Sequence, residues 1–276
     1  MQESDPENFG AQGNYPSLTI EQAIANLSHE DTSLRYYAAW WLGKFQVREA
    51  AAIEALIVAL EDEADRTELG GYPLRRNAAR ALGKLGDVRA VPSLIKCLDC
   101  SDFYVREAAA QSLGKLGDPT CIPVLEQLLS GGLAAAVPVP GRPHLAEPYE
   151  AVMEALGALG AKTALPLIQP FLQHPVARVQ YSATRAMYQL TQDPIYGERL
   201  VQALLGKDIQ LRRVALSDLG AIGYLPAAEA IASSATENSF KLIALKGILE
   251  HQLNPDEAHS LNDAAIRVMT LMDSLL

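Results

Sequence analysis

The sequence predicts an all-α protein, an α-solenoid of short HEAT-like helix pairs. Three observations predict this class. A segment of the chain recurs, glycine and proline recur inside it at fixed offsets, and no stretch alternates apolar and polar residues as a half-buried strand would. Segment 74–98, LRRNAARALGKLGDVRAVPSLIKCL, aligns with 105–129, VREAAAQSLGKLGDPTCIPVLEQLL. Weaker copies occupy 149–172 and 211–232, residues 34–45 open the series, and 179–190 and 240–251 are degenerate members.

A glycine serves as the ruler of the repeat: Gly43, Gly83, Gly114, Gly157 and Gly220, with Tyr188 and Leu249 filling its column in the degenerate copies. Successive steps are 40, 31, 43, 31, 32 and 29 residues, which gives about six to seven repeats of ~31 residues. Residues 1–17 are a polar N-terminal extension, and 18–276 form the solenoid. Each copy reads as two helices. The first carries apolar residues at helical spacing and is expected to end at the ruler glycine, where a left-handed turn meets no Cβ. Pro92, Pro123 and Pro166 each stand nine residues beyond a ruler glycine and mark the first position of the second helix. Asp31, Asp102 and Asp208 precede Arg35, Arg106 and Arg212 by four. Such an aspartate caps the helix that follows, and the arginine is placed to pair with an acid of a neighbouring repeat. One such helix pair cannot bury its apolar face alone, so the pairs must stack.

The longer first and third steps locate two insertions, near 62–73 (DEADRTELGGYP) and 131–148. Both fall between a second helix and the next first helix, so they emerge on one edge of the stack, where loops rim a groove or simply hang in water. Arg142 and His144 of the second insertion suit an anion, or equally a solvated surface.

Composition narrows the function. With 33 acidic against 23 basic side chains the formal net charge is −10, which opposes a nucleic-acid partner because phosphate binding needs concentrated Lys and Arg. No apolar run is long enough to span a bilayer, and the opening residues lack a signal-peptide core, so a cytoplasmic protein is expected. Cys97, Cys100 and Cys121 fit a reducing compartment. The CLDC pair falls near a helix end where the dipole does not favour a thiolate, so these read as semi-buried thiols. No HExxH or second CxxC is present, and no metal site is expected.

One helix departs from the pattern: LRYYAAWWLGKF, residues 34–45, holds both tryptophans of the chain. Seven and three positions before the ruler the other copies are mainly polar, as in Arg76 and Arg80, Glu107 and Gln111, or Glu150 and Glu154; the first copy places Tyr36 and Trp40 there. Six and two positions before it the others are mostly small, as in Ala81, Ser112, Ala155 and Ala186; the first copy places Tyr37 and Trp41 there. Ala38, Ala39 and Leu42 keep the core pattern, so two aromatic stripes are added to an intact scaffold. Such a surface docks another subunit or a flat conjugated ligand, or is covered by the chain's own Phe9 and Tyr15.

YYAAWWLGKF followed by VRxxAAxxLGKLGD-type repeats resembles the E subunit of the E/F-type phycobilin lyases, across roughly residues 18 to 250 and most specifically at Tyr36, Tyr37, Ala38, Ala39, Trp40, Trp41 and Leu42. The resemblance implies a lyase of the phycobilisome pigment system, active as a heterodimer with an F-type subunit. Its implied reaction attaches phycocyanobilin, a bile pigment and here a substrate rather than a cofactor, to a cysteine of the phycocyanin α chain. A bilin needs an aromatic bed, cations for two propionates and an acid facing its ring nitrogens. On that reading Tyr36, Tyr37, Trp40 and Trp41 bind bilin or partner, and Arg75, Arg76, Arg106, Arg142 and His144 are candidates for the propionates. Asp102 and Asp87 are candidates for the acid. Two alternatives share the fold. One is a non-catalytic adaptor or chaperone of phycobiliproteins. The other is a di-iron hydroxylase, for which His29-Glu30 is the only HE dipeptide present.

Overall fold

The structure, a computed structural model, describes residues 18–64, 66–253 and 261–276. The alternative cover for the aromatic helix, Phe9 and Tyr15, lies outside the described residues. A short α1 (Ile20–Asn26) leads into seven helix pairs: α2 (Thr32–Lys44) with α3 (Ala50–Ala59), α4 (Pro73–Leu85) with α5 (Val91–Cys97), and α6 (Phe103–Leu116) with α7 (Ile122–Leu129). After a one-turn α8 (Gly132–Ala135) come α9 (Tyr149–Ala158) with α10 (Leu165–Ile168), α11 (Ala177–Thr191) with α12 (Pro194–Ala203), α13 (Ile209–Ile222) with α14 (Ala228–Ser233), and α15 (Asn238–Gln252) with α16 (Asp263–Asp273). Among the described residues there is no strand, only an isolated bridge between Pro138 and Leu145.

The leucine before the ruler anchors each first helix: Leu42, Leu82, Leu113, Leu156 and Leu219 are all fully buried. The ruler glycine itself does not end its helix, contrary to expectation. α4 runs on to Leu85 and is closed by Gly86 at φ 77°, three residues past Gly83; α6 is closed in the same way by Gly117 at φ 71°. The ruler glycine instead lets the next first helix approach. A Cβ on Gly43 would lie 2.8 Å from Ala81 Cα, and one on Gly114 would lie 2.8 Å from Ala155 Cα. The small residue two places before each ruler is therefore the contact point on the preceding helix. The prolines open the second helices at their second residue rather than their first, because a 3-10 turn (Val88–Ala90, Pro119–Cys121, Lys162–Ala164) runs directly into each. Their missing N–H is still one of the first four, which have no partner within the helix.

Consecutive first helices lie against one another along their length, whereas consecutive second helices touch sparsely. A stack so built curves toward its first helices, which line the inner face. That inner face carries the columns seven and three before the ruler: Tyr36 and Trp40, then Arg76 and Arg80, Glu107 and Gln111, Glu150 and Glu154, and onward to Arg185. The three capping aspartates behave as expected, accepting from Ser33, Tyr104 and Gln210 N–H at 2.9, 2.9 and 2.8 Å.

Candidate functional site

The aromatic helix α2 presents two ring pairs rather than two stripes. Tyr37 and Trp40 stack at 5.5 Å between centroids, and Trp41 packs on Phe45 at 4.8 Å. Tyr37 is 38% exposed and Phe45 60%, while Tyr36, Trp40 and Trp41 are half-buried. The four tyrosine and tryptophan rings are thus not buried by the adjoining unit, although Trp41 also packs against the core. Its size has a plain cause. Two before the ruler is the position that meets the preceding helix's glycine, and the first copy has no preceding repeat to approach. Phe45 is a ring the sequence reading passed over; its spacing of four from Trp41 on the same helix was the available signal.

Beside α2 on the inner face stands Arg76. Its Nε is buried with no hydrogen-bond partner, it has no ion-pair partner among the described residues, and its guanidinium lies 5.9 Å from the Tyr104 ring centroid. Tyr104 belongs to a second ring group at the start of α6. His144 stacks on Phe103 at 3.9 Å with planes 9° apart and meets Tyr104 edge-on at 5.9 Å. The second insertion thereby docks onto α6, and its Arg142 is exposed. The first insertion docks at the same place, since Tyr72 N–H donates to Asp102 Oδ2 at 2.8 Å. Both insertions therefore converge on the N-terminus of α6. Arg76, Tyr104 and His144 come together there, with Arg142 close in sequence.

The other predicted residues are committed elsewhere. Arg75 donates to the carbonyls of Asp62 (2.7 Å) and Glu61 (3.2 Å), pairs with Glu63 and lies over the Tyr72 ring at 4.2 Å. Arg106 is bound to Glu147 (3.0 Å) and to the carbonyls of Cys100 (2.7 Å) and Ala146 (2.8 Å). Both arginines fasten insertions to helices. Asp102 uses both oxygens, on Tyr104 and Tyr72 N–H. Asp87 caps the 3-10 turn before α5 through Arg89 N–H and is gripped by the Arg89 guanidinium, which holds its carboxyl below the usual range. Neither aspartate is placed to face a ligand. Burial pushes the Cys97 thiol up to about 12 and the Cys121 thiol up to about 11, which keeps these two protonated and unreactive.

Carboxylates with raised pKa lie instead further along the inner face. Burial raises Glu107 and Glu150, each flanked by the other and by Glu154. Arg178 pairs with Glu150 at 3.2 Å. Arg185 Nη1 reaches both Glu154 Oε2 and Asp218 Oδ1 at 3.3 Å, and Ser182 Oγ donates to Glu154 Oε1 at 2.9 Å. Asp218 is 3% exposed, and burial followed by repulsion from Glu154 pushes its carboxyl up to about 7. Sequence reasoning missed it, yet it was visible: Asp218 is the charged member of a column that beyond the first copy is otherwise small, with Ala81, Ser112, Ala155, Ala186 and Gly247. Among the described residues no cluster of three or more His, Cys, Asp or Glu is placed to hold a metal, and no helix is long and apolar enough to cross a membrane.

Residues 34–62 and 148–174 match the family described as PBS lyase HEAT-like repeat, and residues 71–135 match HEAT repeats. The chain is 70% identical over its whole length, and the whole of the relative's, to a phycocyanobilin lyase subunit alpha from Nostoc sp.. It is 61% identical to the protein of that name from Microchaete diplosiphon, covering all of this chain and 95% of the relative. A bilin biosynthesis protein, PecE, from Nostoc sp. is 45% identical over 95% of this chain and 97% of its own. A solved structure of the complex of CpcE and CpcF of phycocyanin lyase from Nostoc sp. contains a chain 70% identical to this one. It superposes with a TM-score of 0.89 over 99% of this chain and 100% of that one.

Proposed function

The chain belongs to the family of phycocyanobilin lyase alpha subunits, and from that premise we propose that it binds phycocyanobilin and, together with an F-type subunit, attaches it to a cysteine of the phycocyanin α chain in the cytoplasm. The observation that carries this reading is identity of 70% to such a lyase subunit over the full length of both chains. The CpcE–CpcF complex among its relatives supports the heterodimer.

The reaction adds a cysteine S–H across the exocyclic ethylidene double bond of the bilin and leaves a thioether. No electron is gained or lost, so positioning and proton control are the protein's tasks. Holding both reactants in register supplies up to roughly 7–11 kcal/mol of the barrier in well-oriented systems. The inner face offers the parts for this. Tyr36, Trp40 and the stacked Tyr37 give flat apolar area at the first unit. One helix further on, Arg76 has an uncommitted guanidinium, and a propionate there would satisfy its buried Nε. Tyr104 and His144 flank that position, and Arg142 adds positive charge from the insertion.

The test is reconstitution of the chain with phycocyanobilin, apo-phycocyanin α chain and the F-type subunit, read by absorbance and by zinc fluorescence of the denatured product. Wild type is expected to give covalent colour, and the Trp40→Ala, Trp41→Ala double variant none despite retained helicity. Absence of covalent colour from the wild-type mixture would overturn the reading and favour an adaptor.

A further inference from the structure

Four units place an arginine eight positions before the ruler: Arg35, Arg75, Arg106 and Arg212. Three of them are closed by a carboxylate of this chain. Arg35 pairs with Asp62 at 2.7 Å, Arg75 with Glu63, and Arg106 with Glu147 at 3.0 Å. Arg212 has no such carboxylate among the described residues.

Arg106 and Arg212 correspond atom for atom. Arg106 Nη1 donates to the carbonyl six residues before it, that of Cys100, at 2.7 Å, and Arg212 Nη1 donates to the carbonyl six before it, that of Gly206, at 2.8 Å. The Nε and Nη2 of Arg106 then reach Glu147 and the Ala146 carbonyl, at 3.0 and 2.8 Å. The same two nitrogens of Arg212 find no acceptor among the described residues, and the Nε is buried. Glu237 does not serve them, since Arg213 holds both its oxygens. An enclosed guanidinium N–H left without an acceptor is costly, so this edge is unfinished. Arg212 lines a groove of about 340 Å³ between the ends of α12 and α14, walled by Val201, Leu204, Leu205, Ala230 and Ala235. Leu205 in that wall is 79% exposed. Held by one bond, the Arg212 side chain can turn its open edge into the groove.

We propose that this groove docks the F-type subunit, which lays an acidic side chain on the Nε–Nη2 edge of Arg212 and an apolar neighbour against Leu205, completing from outside the anchor that Glu147 completes from within. The proposal rests on the reading of the chain as one half of a lyase heterodimer. A planar guanidinium edge selects a carboxylate, and Lys207, Arg212 and Arg213 concentrate positive charge here on a chain of net charge −10. The bilin is not that carboxylate. Packed helices lie roughly 8–10 Å apart, and α13 is the fourth first helix beyond α4, so Arg212 stands about 32–40 Å from Arg76, further than one tetrapyrrole extends. The core also calls for a lasting partner at this end. Among the described residues it divides between Leu190 and Leu200, and the last units rest on the smaller cluster. Units of a stack are stabilised by what packs on them, and a second subunit seated at α12 and α14 supplies that.

The test is the dissociation constant of this chain with the purified F-type subunit, measured by calorimetry for wild type, Arg212→Ala, Arg212→Lys and Leu205→Glu. Arg212→Ala is expected to weaken binding at least about thirtyfold and to flatten its dependence on salt. Arg212→Lys keeps the charge but not the two-pronged edge and should lose about tenfold. Leu205→Glu sets a carboxylate of this chain beside Arg212 and should also lose at least about tenfold. A role in packing alone would lower the urea midpoint of the isolated chain with Arg212→Ala and leave Leu205→Glu binding as wild type. Should Arg212→Ala fold poorly, Leu205→Glu decides, because that side chain is exposed. Binding within threefold of wild type for Leu205→Glu, or for a folded Arg212→Ala, overturns the proposal while the lyase reading stands. A loss confined to bilin, or to the phycocyanin α chain, with the F-type subunit bound as before, overturns it too. Absence of covalent colour from a wild-type mixture in which the subunits still bind removes the lyase reading alone; failure of wild type to bind the F-type subunit removes both.

Discussion

Replacing Asp102 separates a strut from a proton donor. Its Oδ1 accepts from Tyr104 N–H at 2.9 Å and caps α6; its Oδ2 accepts from Tyr72 N–H at 2.8 Å and ties down the first insertion. Alanine removes the cap, worth about 1 kcal/mol, and leaves the part-buried Tyr72 N–H without its acceptor, a further ~1–3 kcal/mol. Asp102→Ala is therefore expected to lose about 2–4 kcal/mol, read from the midpoint of urea unfolding. Asparagine keeps one acceptor oxygen and should lose about 1–2 kcal/mol. The companion assay is covalent colour formation with the F-type subunit, below the unfolding transition. If Asp102 is a strut, Asp102→Asn ligates within about threefold of wild type, since a proton donor contributes at least about a hundredfold. Wild-type stability combined with a hundredfold slower ligation would refute this reasoning and return Asp102 to the chemistry.

Four further outcomes follow from the packing. Gly114→Ala is expected to destabilise by about 1–3 kcal/mol through overpacking against Ala155 Cα at 2.8 Å, although helix propensity alone predicts a gain of about 1 kcal/mol; a stabilised variant in urea unfolding would contradict the close approach. Trp41→Ala should lower stability measurably because that ring packs on the core, whereas Tyr37→Ala, at an exposed ring, should leave the unfolding midpoint within about 0.5 kcal/mol while weakening bilin or partner binding. His174 is 1% exposed, accepts from Val176 N–H at Nδ1 (3.1 Å) and so donates from Nε2 to the Ala136 carbonyl (2.9 Å). Its alanine variant should cost about 2–3 kcal/mol and speed proteolysis within 131–148. Finally, Asp218 has a carboxyl raised from 3.8 to about 7, so the folded state holds the extra proton. Its contribution is fully present below the unfolded value and is lost as pH rises through about 7, a slope worth up to roughly 4 kcal/mol that Asp218→Asn should flatten in urea unfolding across that window.

The repeat was legible because its causes are local. Leucines buried at one offset, aspartates that cap and prolines in the first turn each act within a few residues, so the helix pairs were read correctly from pattern alone. The ruler glycine was misread for the same reason. A glycine after an apolar run looks like a helix end, and only the neighbouring helix, with Ala81 against Gly43 and Ala155 against Gly114, explains why it stands in the interior. Arg75 and Arg106 illustrate the matching difficulty for a site. Nothing in the sequence distinguishes an arginine that ties an insertion to a helix from one that waits for a propionate. Which of Arg75, Arg76 and Arg106 stays uncommitted depends on carbonyls supplied by distant loops, those of Glu61, Asp62 and Ala146.

A column in a stacked repeat acquires its meaning from the units on either side, and this decides where function has room to appear. In the interior the position two before the ruler must be small, because a glycine backbone lies against it. The first unit is released from that demand and carries Trp41; the sixth follows a helix whose ruler column holds Tyr188 rather than a glycine, and it carries Asp218. The inner-face columns meet no such restriction, and there the side chains change from rings to arginine to carboxylate over four consecutive first helices, α2, α4, α6 and α9. A scaffold repeating for stability alone would have no cause to order them so. An extended ligand with an apolar conjugated body, anionic side arms and ring nitrogens needing a carboxyl calls for those three chemistries along its length, and it would read that gradient in one direction.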